Sequence, residues 1–473
     1  MHTGNSAAGS TAIATHLHSG YVWLISSVAA LGGLLFGYDW VVIGGAKPFY
    51  ETYFQLSSEE LIGWANSCAL VGCFIGSAVA GKISDRFGRK RLLILSALLF
   101  AVSSVLTGWA SSFPSFVTWR IVGGVAIGFA SNASPTYIAE VSPAKWRGRL
   151  VSLNQLTIVI GILAAQLVNW QIAQPVAPGS TPAEIAASWN GQFAWRWMFT
   201  AVAIPSCVFL FSALFLPESP RWLAQRGSGG QAFRTLARIG GEGYATAALT
   251  EIEESLTAES ARSLKRSELF SPAILRILIT GVVLAVLQQW SGINVLFNYA
   301  EEVYRNAGYG VSDVMFNIVI TGAINLVFTL VALGFVDRFG RRPLMLIGCA
   351  AIGMSHLLVG LAYYTHRSGL TLLVLTLAAI SCYAMSLAPI TWVLISEMFP
   401  NRIRGVAVSI AVSALWIASF ILTFTFPVVL KAIGSAATFW LYAAICFAGF
   451  VFIWFRVPET KGKTLEQIEQ QLA

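Results

Sequence analysis

The chain alternates between long apolar runs and short polar breaks. Twelve apolar runs, centred near residues 33, 71, 101, 126, 160, 205, 285, 324, 352, 383, 416 and 445, are each close to the length of a bilayer-spanning helix, about 20 residues. The pattern predicts an all-α membrane protein with twelve transmembrane helices. Residues 1–19 are small and polar and read as a disordered tail. The first apolar run is longer than a signal-peptide core and no A-x-A-like cleavage site follows it, so it is expected to stay as a helix. Between the sixth and seventh runs, "QAFRTLARIGG" and "ALTEIEESL" place apolar residues at helical spacing among charges. This predicts short surface helices rather than a loose linker.

Composition agrees with that class. The chain is 56% hydrophobic and 11% charged, whereas a soluble domain carries about a quarter charged residues. With both termini placed in the cytoplasm, 23 of the 30 Lys and Arg residues fall in loops on that side and 4 on the other; Arg120, Arg196 and Arg276 lie in or at the ends of helices. Such a bias orients a membrane protein. It also accounts for the net charge of +8 without a nucleic-acid partner, because the basic residues are scattered over membrane loops. The six cysteines (68, 73, 207, 349, 382 and 446) lie inside apolar runs without metal-ligand spacing, and read as packing residues. His356 and His366 form no cluster with acids or cysteines. No metal, cofactor or enzymatic site is expected.

The chain also repeats itself. "SDRFGRKRLLIL" returns as "VDRFGRRPLMLI", with Asp337 following Asp85 by 252 residues. "AEVSPAKWRGRLVS" returns as "SEMFPNRIRGVAVS", and "PESPRWL" is echoed by "PETKGKTL". Two parallel halves of six helices explain all three pairs. The expected organisation is a tail (1–19), an N-terminal half (20–216), cytoplasmic linker helices (217–271), a C-terminal half (272–457) and a cytoplasmic tail (458–473). Repeats of this kind place a substrate site near the midplane between the halves, opened to either side by rocking.

Three sets of polar residues stand out. The seventh run carries Gln288, Gln289, Asn294 and Asn298 around Ser291–Gly292, a step that favours local unwinding. Amides crowded into a spanning helix face either a cavity or another helix. They suit a sugar, whose hydroxyls both donate and accept, while indole rings cover its C–H face. Asp39, in "GGLLFGYDW", and Arg120 are both expected roughly 10 Å below the outer surface, from a rise of 1.5 Å per residue. Equal depth and the cost of an unpaired ion predict that they pair. The pair is either a fixed link between helices or a proton switch. Finally, the DRFGR loops stand near acids at neighbouring helix ends.

Taken in order, "GGLLFGYD", "GKISDRFGRK", "WRIVGG", "PESPRWL", "QQWSGIN", "VDRFGRR", "SEMFPNRIRG" and "PETKGKTLEQIE" resemble the sugar porter branch of the major facilitator superfamily over nearly the whole chain after residue 20. Its members include bacterial proton-coupled glucose and xylose symporters and mammalian glucose facilitators. The resemblance implies that Gln155, Gln288, Gln289, Asn294, Asn325 and Trp392 are sugar ligands, with Trp416 an aromatic wall and Phe36 reaching the cavity. Asn298 ranks lower, because relatives often have tyrosine there. Leu415 departs from an amide in relatives, which leaves the choice among hexose, pentose and polyol open. It further implies a cytoplasmic gate of Asp85, Arg86, Arg89, Glu140, Arg147, Glu218, Asp337, Arg338, Arg341, Glu397, Arg404 and Glu459, whose arginines pair with the acids and latch the halves. The alternative is that these are topology signals on solvated turns. Proton-coupled relatives carry aspartate at the position of Asp39, and passive ones asparagine.

The resulting expectation is a monomeric carrier in a bacterial inner membrane, importing a monosaccharide with a proton, glucose first and xylose next. A passive facilitator with a structural Asp39–Arg120 pair is the nearer rival. A sugar sensor is the further one, since only about 16 residues follow the last helix and sensors use long tails. Asn132-Ala-Ser134, inside the fourth run, offers no outside glycosylation site.

Overall fold

A computed structural model of the protein describes residues 17–177, 180–261, 271–306, 308–367, 369–399 and 403–459, without the side chains of 258–261, 273, 311, 312, 336–338, 396, 397 and 404. The described residues are almost entirely helical. Five long helices come first: α1 (Ser19–Tyr53), α2 (Glu59–Phe87), α3 (Arg89–Gly108), α4 (Phe113–Val141) and α5 (Arg147–Ile172). A short α6 (Pro182–Ala187) lies before the sixth crossing, which is a π-helical turn (Asn190–Ala194) followed by α7 (Trp195–Thr200) and α8 (Ala203–Leu214). The linker forms α9 (Pro220–Gln225) and α10 (Gly229–Ala261), the latter broken at Gly240–Gly241.

The second half is more interrupted. Its first crossing is split into α11 (Pro272–Trp290) and α12 (Ile293–Asn298), with α13 (Ala300–Asn306) beyond it. Two long helices follow, α14 (Val311–Phe339) and α15 (Arg341–Tyr364). The next crossing is split again, into α16 (Leu370–Met385) and α17 (Leu387–Met398). The run α18 (Arg404–Arg456) turns at Gly434 and makes the last two crossings. Twelve crossings result.

Local chemistry sets the boundaries. Ser58 opens α2 by accepting from Leu61 N at 3.2 Å, with Glu59 and Glu60 in the first turn where the helix dipole favours acids. Gly88 and Gly340 turn the chain from one crossing into the next at φ +100 and +89, a region that side chains resist. They occupy equivalent places in the two repeats. One boundary differs from the apolar pattern: α1 continues past Pro48 to Tyr53, beyond the apolar run, because Lys47 and Glu51 find ionic partners inside the bundle. At the other end, His18 N bonds Ile239 O at 2.8 Å, so the linker packs against the start of α1. The linker is also longer than the short helices expected.

The bundle has two unlike ends. At the end carrying the DRFGR loops, the basic end, a cavity of about 1000 Å³ separates the halves. Asn132, Glu140 and Arg147 line it from one half, Trp392 and Val412 from the other, and Tyr244 from the linker. At the far end the halves touch. Trp64 meets Phe420 edge-on at 6.2 Å, Trp170 lies 5.9 Å from Phe316, and Lys431 pairs with Glu59 at 3.1 Å.

Within the first half, α2 and α4 approach backbone to backbone. A Cβ on Gly124 would lie 1.9 Å from Ala69 O, and one on Gly72 2.0 Å from Ile121 O. Small residues at such crossings let dispersion contacts form where lipid offers no hydrophobic drive. Gly124→Leu is therefore expected to destabilise the fold by about 3 kcal/mol through overpacking, read as a lower thermal transition of the purified protein. Gly81→Leu, where a Cβ meets nothing within 4 Å, leaves the transition unchanged.

Candidate functional site

The break between α11 and α12 builds the centre of the site. Gly292 sits at φ +84, and a Cβ there would meet the Tyr442 ring at 2.7 Å. The Ser291 carbonyl, released from helical bonding, is met by His356 Nε2 at 2.8 Å and by Cys446 Sγ at 3.6 Å. The kink sets the end of α11 against the start of α12. Gln289 Nε2 donates to Gln288 Oε1 at 3.3 Å, and Asn294 Nδ2 donates to Gln289 Oε1. Gln288 Nε2 faces Leu387 O at 3.4 Å and Ala388 O at 3.3 Å, just past the second break at Ser386. All three amides are buried. An amide offers two donors and two acceptor lone pairs, so this chain keeps capacity for ligand hydroxyls.

An aromatic group from both halves stands in the same interface. Phe36 and Trp40 of α1 lie 5.8 Å apart, and each has its ring 5.9 Å from that of Trp416 on α18. Trp416 is buried and its indole N–H has no partner. A buried donor left unpaired is costly, which marks this one as available to a ligand or water. Leu415 beside it is buried too. Asn325 on α14 is buried, while Gln155 on α5 and Trp392 on α17 are half-buried. Among the described residues no hydrogen bond joins Gln155 or Asn325 to the amide chain. Trp392 lines the cavity that opens to the basic end.

Asp39 and Arg120 meet inside the first half. Arg120 Nη1 lies 3.0 Å from both carboxylate oxygens, and Nη2 reaches the Asp39 carbonyl at 3.4 Å. Both residues are about 3% exposed, and the guanidinium lies 5.4 Å from the Phe199 ring. Removing either partner would strand a buried charge, a loss larger than the pair's own net worth.

A family model described as "Sugar (and other) transporter" matches residues 25–472. This chain belongs to that sugar transporter family. It is 39% identical to the D-xylose-proton symporter of Escherichia coli K12, covering 96% of each chain. It is 42% identical to the glucose transport protein of Synechocystis, over 95% of this chain and 97% of that one. Among solved structures, a partially occluded inward open conformation of the xylose transporter XylE from E. coli superposes with a TM-score of 0.83 at 38% identity, covering 94% of this chain and all of that one. The same transporter bound to 6-bromo-6-deoxy-D-glucose gives 0.80 over 96% of this chain and all of that one. The fold is thus that of the major facilitator superfamily, and the protein is a transporter.

At the basic end of this sugar transporter, the described charged contacts stay within one half. Arg89 Nε donates to Glu140 Oε2 at 3.0 Å and its Nη1 to Asp85 at 3.1 Å. Glu218 Oε1 accepts from Arg89 N at 2.9 Å and Lys90 N at 3.1 Å, capping the start of α3. Glu459 does the same for α15, accepting from Arg341 N and Arg342 N at 3.1 Å each. The two acids occupy equivalent places in the repeat, each at a positive helix terminus. Trp222 Nε1 on α9 and Arg226 Nη2 just past it donate to the Asp85 carbonyl at 2.9 Å, closing the other side of the turn. Arg86 and Arg147 are exposed, Arg147 facing the cavity. Asp337, Arg338, Glu397 and Arg404 lie outside the described side chains.

Two residues of the site escaped the reading of the chain. Trp40 follows Phe36 by four positions, the spacing of one helix face, so a signal was present. His356 was set aside for lack of acidic neighbours; its partner is a carbonyl 65 residues away in sequence. Glu218→Gln and Glu459→Gln are each expected to cost about 1 kcal/mol of stability through the weakened helix cap. The thermal transition falls and sugar affinity in equilibrium binding stays the same.

Proposed function

We propose that this chain imports a monosaccharide together with a proton, by alternating access, with Asp39 as the proton carrier and Arg120 as its partner. The observation that carries the coupling is the buried Asp39–Arg120 contact in the half opposite the amide chain. In general a cation beside an acid favours the charged form, and isolation in a dry site favours the neutral one. A cycle that alternates these arrangements loads on one side and releases on the other.

The sugar in this reading lies between Gln155, Gln288, Gln289, Asn294 and Asn325, under the rings of Phe36, Trp392 and Trp416. Glucose is the first choice and xylose the second. The relatives include symporters named for xylose and arabinose and a glucose transport protein, which supports this substrate class. Leu415 makes one wall apolar and is where selectivity would be tuned. The basic end faces the cytoplasm of a bacterial inner membrane, with both termini on that side, so the cavity opens inward. The basic-end residues, Asp85 to Glu459, act as the gate there, and the carrier works as a monomer within the halves 20–216 and 272–457.

A second reading, passive facilitation, draws on the same geometry, because both oxygens of Asp39 face one nitrogen as in a fixed link. Proteoliposomes separate the two. One charge moving with the sugar contributes about 2.3 kcal/mol per 100 mV, enough for about fifty-fold accumulation. Accumulation of that order is expected for the native chain, and none for Asp39→Asn, which keeps sugar exchange. Sugar uptake that equilibrates without accumulating, at acid and alkaline external pH alike, would sink the symport reading. Gln289→Ala is expected to weaken sugar binding about tenfold, the net worth of a lost hydrogen bond, and titration against a panel of monosaccharides reads both this loss and the preferred sugar.

A further inference from the structure

At the far end a second buried charge cluster joins the halves. Lys47 of α1 is only 2% exposed and is surrounded by carboxylates. Its Nζ lies 3.0 Å from Glu51 Oε1, 3.8 Å from Glu301 Oε2 and in hydrogen-bond contact with Glu302 Oε1. Glu51 belongs to the same half as Lys47, whereas Glu301 and Glu302 stand on α13 of the other. Arg305 Nη1 reaches Glu301 Oε1 at 3.0 Å, but that arginine is 60% exposed. Tyr50 on α1, Cys68 on α2 and Tyr299 beyond α12 also face the cluster and bring no positive charge; Lys47 lies 5.6 Å from the Tyr299 ring. With the cluster fully ionised, three acids face two cations, of which only one is buried.

Four buried oxygens of the cluster have no hydrogen-bond partner: Glu51 Oε1 and Glu301 Oε1, each 3.0 Å from a cation, and Glu302 Oε2 and the hydroxyl of the fully enclosed Tyr50. Buried polar atoms are rarely left so, and a proton on Glu302 removes the excess negative charge. Glu302 lies past the crossing that ends at Asn298. Burial raises its carboxyl most, Lys47 draws it down, and Glu301 and Glu51 raise it again, leaving it at about 8.

We propose that Lys47, Glu51, Glu301 and Glu302 form a second proton-binding site, distinct from Asp39, that takes up a proton when the far end closes and gives it back to the same side when it opens. Opening separates α1 from α13, so Glu302 returns to water and to the ordinary carboxylate range. The closed far end is thus the state with the raised affinity. Its advantage is complete below the ordinary carboxylate pKa and fades as pH rises toward about 8. Within that window the ratio of closed to open changes by up to about tenfold per pH unit, as one linked proton requires.

The site rests only on opening and closing of the far end, and stands whether or not Asp39 carries the transported proton. The test uses the full chain with Cys207→Ser, Asp39→Asn, and spin labels on Ser57→Cys and Ala432→Cys, which lie on opposite halves at exposed far-end positions. Inter-label distances are measured across about pH 6 to 8.5. The closed population is expected to rise as pH falls. Glu302→Gln flattens that dependence, Glu302→Asp restores it, and Glu51→Gln, which removes the excess charge by another route, flattens it as well. A pH-independent distance distribution in the Asp39→Asn chain overturns the proposal, as does an unchanged pH dependence in both Gln variants. No far-end movement under any pH or sugar concentration would sink alternating access as well.

Discussion

A charge inside an apolar bundle is stable only with its counter-charge beside it, and the architecture of this protein follows from where that demand is met. Within the first half the demand is met by Asp39 and Arg120, on α1 and α4. Across the halves it is met by Lys47 with Glu301 and Glu302. The first pair parts only if α1 shifts against α4 within its half, the movement that the proposed proton cycle needs. The second parts whenever the halves separate at the far end. Buried ions therefore divide by the movement that breaks them.

The backbone follows the same logic. A helix in lipid satisfies its own carbonyls, so a break needs outside partners. The first five crossings run unbroken, whereas the sixth has a π-helical turn and a step between α7 and α8. The C-terminal half breaks twice, at Ser291–Gly292 and at Ser386, and each break is served from elsewhere: His356 and Cys446 take the Ser291 carbonyl, while Gln288 faces the carbonyls of Leu387 and Ala388. The buried amides are thereby tied to the irregular backbone that places them. A ligand that withdraws the Gln288 amide from those carbonyls acts on both broken crossings together.

The basic-end motifs have a plainer local role than a latch alone. Glu218 and Glu459 cap the starts of α3 and α15, and Arg226 with Trp222 bonds the carbonyl of Asp85 at the same turn. The repeated DRFGR turns are thus rigid corners, each made by a glycine at positive φ and an acid brought from the end of its own half. Rigid corners let each half move as a body, which rocking requires.

Twelve apolar runs, the two-fold repeat, the charge bias and the amide-bearing seventh crossing were all legible in the chain, because each is a local pattern of residue type and period. The pairing of Asp39 with Arg120 was legible as well, since depth along a helix can be counted and an unpaired ion is too costly to leave. What the chain did not disclose depends on which surfaces meet. Lys47 and Glu51 follow the first apolar run as ordinary charged residues, and only the approach of α13 turned them into a buried cluster that carries α1 past Pro48. His356 looked inert until a carbonyl released at Gly292 came within 2.8 Å. Periodicity and composition determine what a segment is, because the bilayer selects for them segment by segment; partners across the halves are decided only when the packed bundle brings distant residues to the same place.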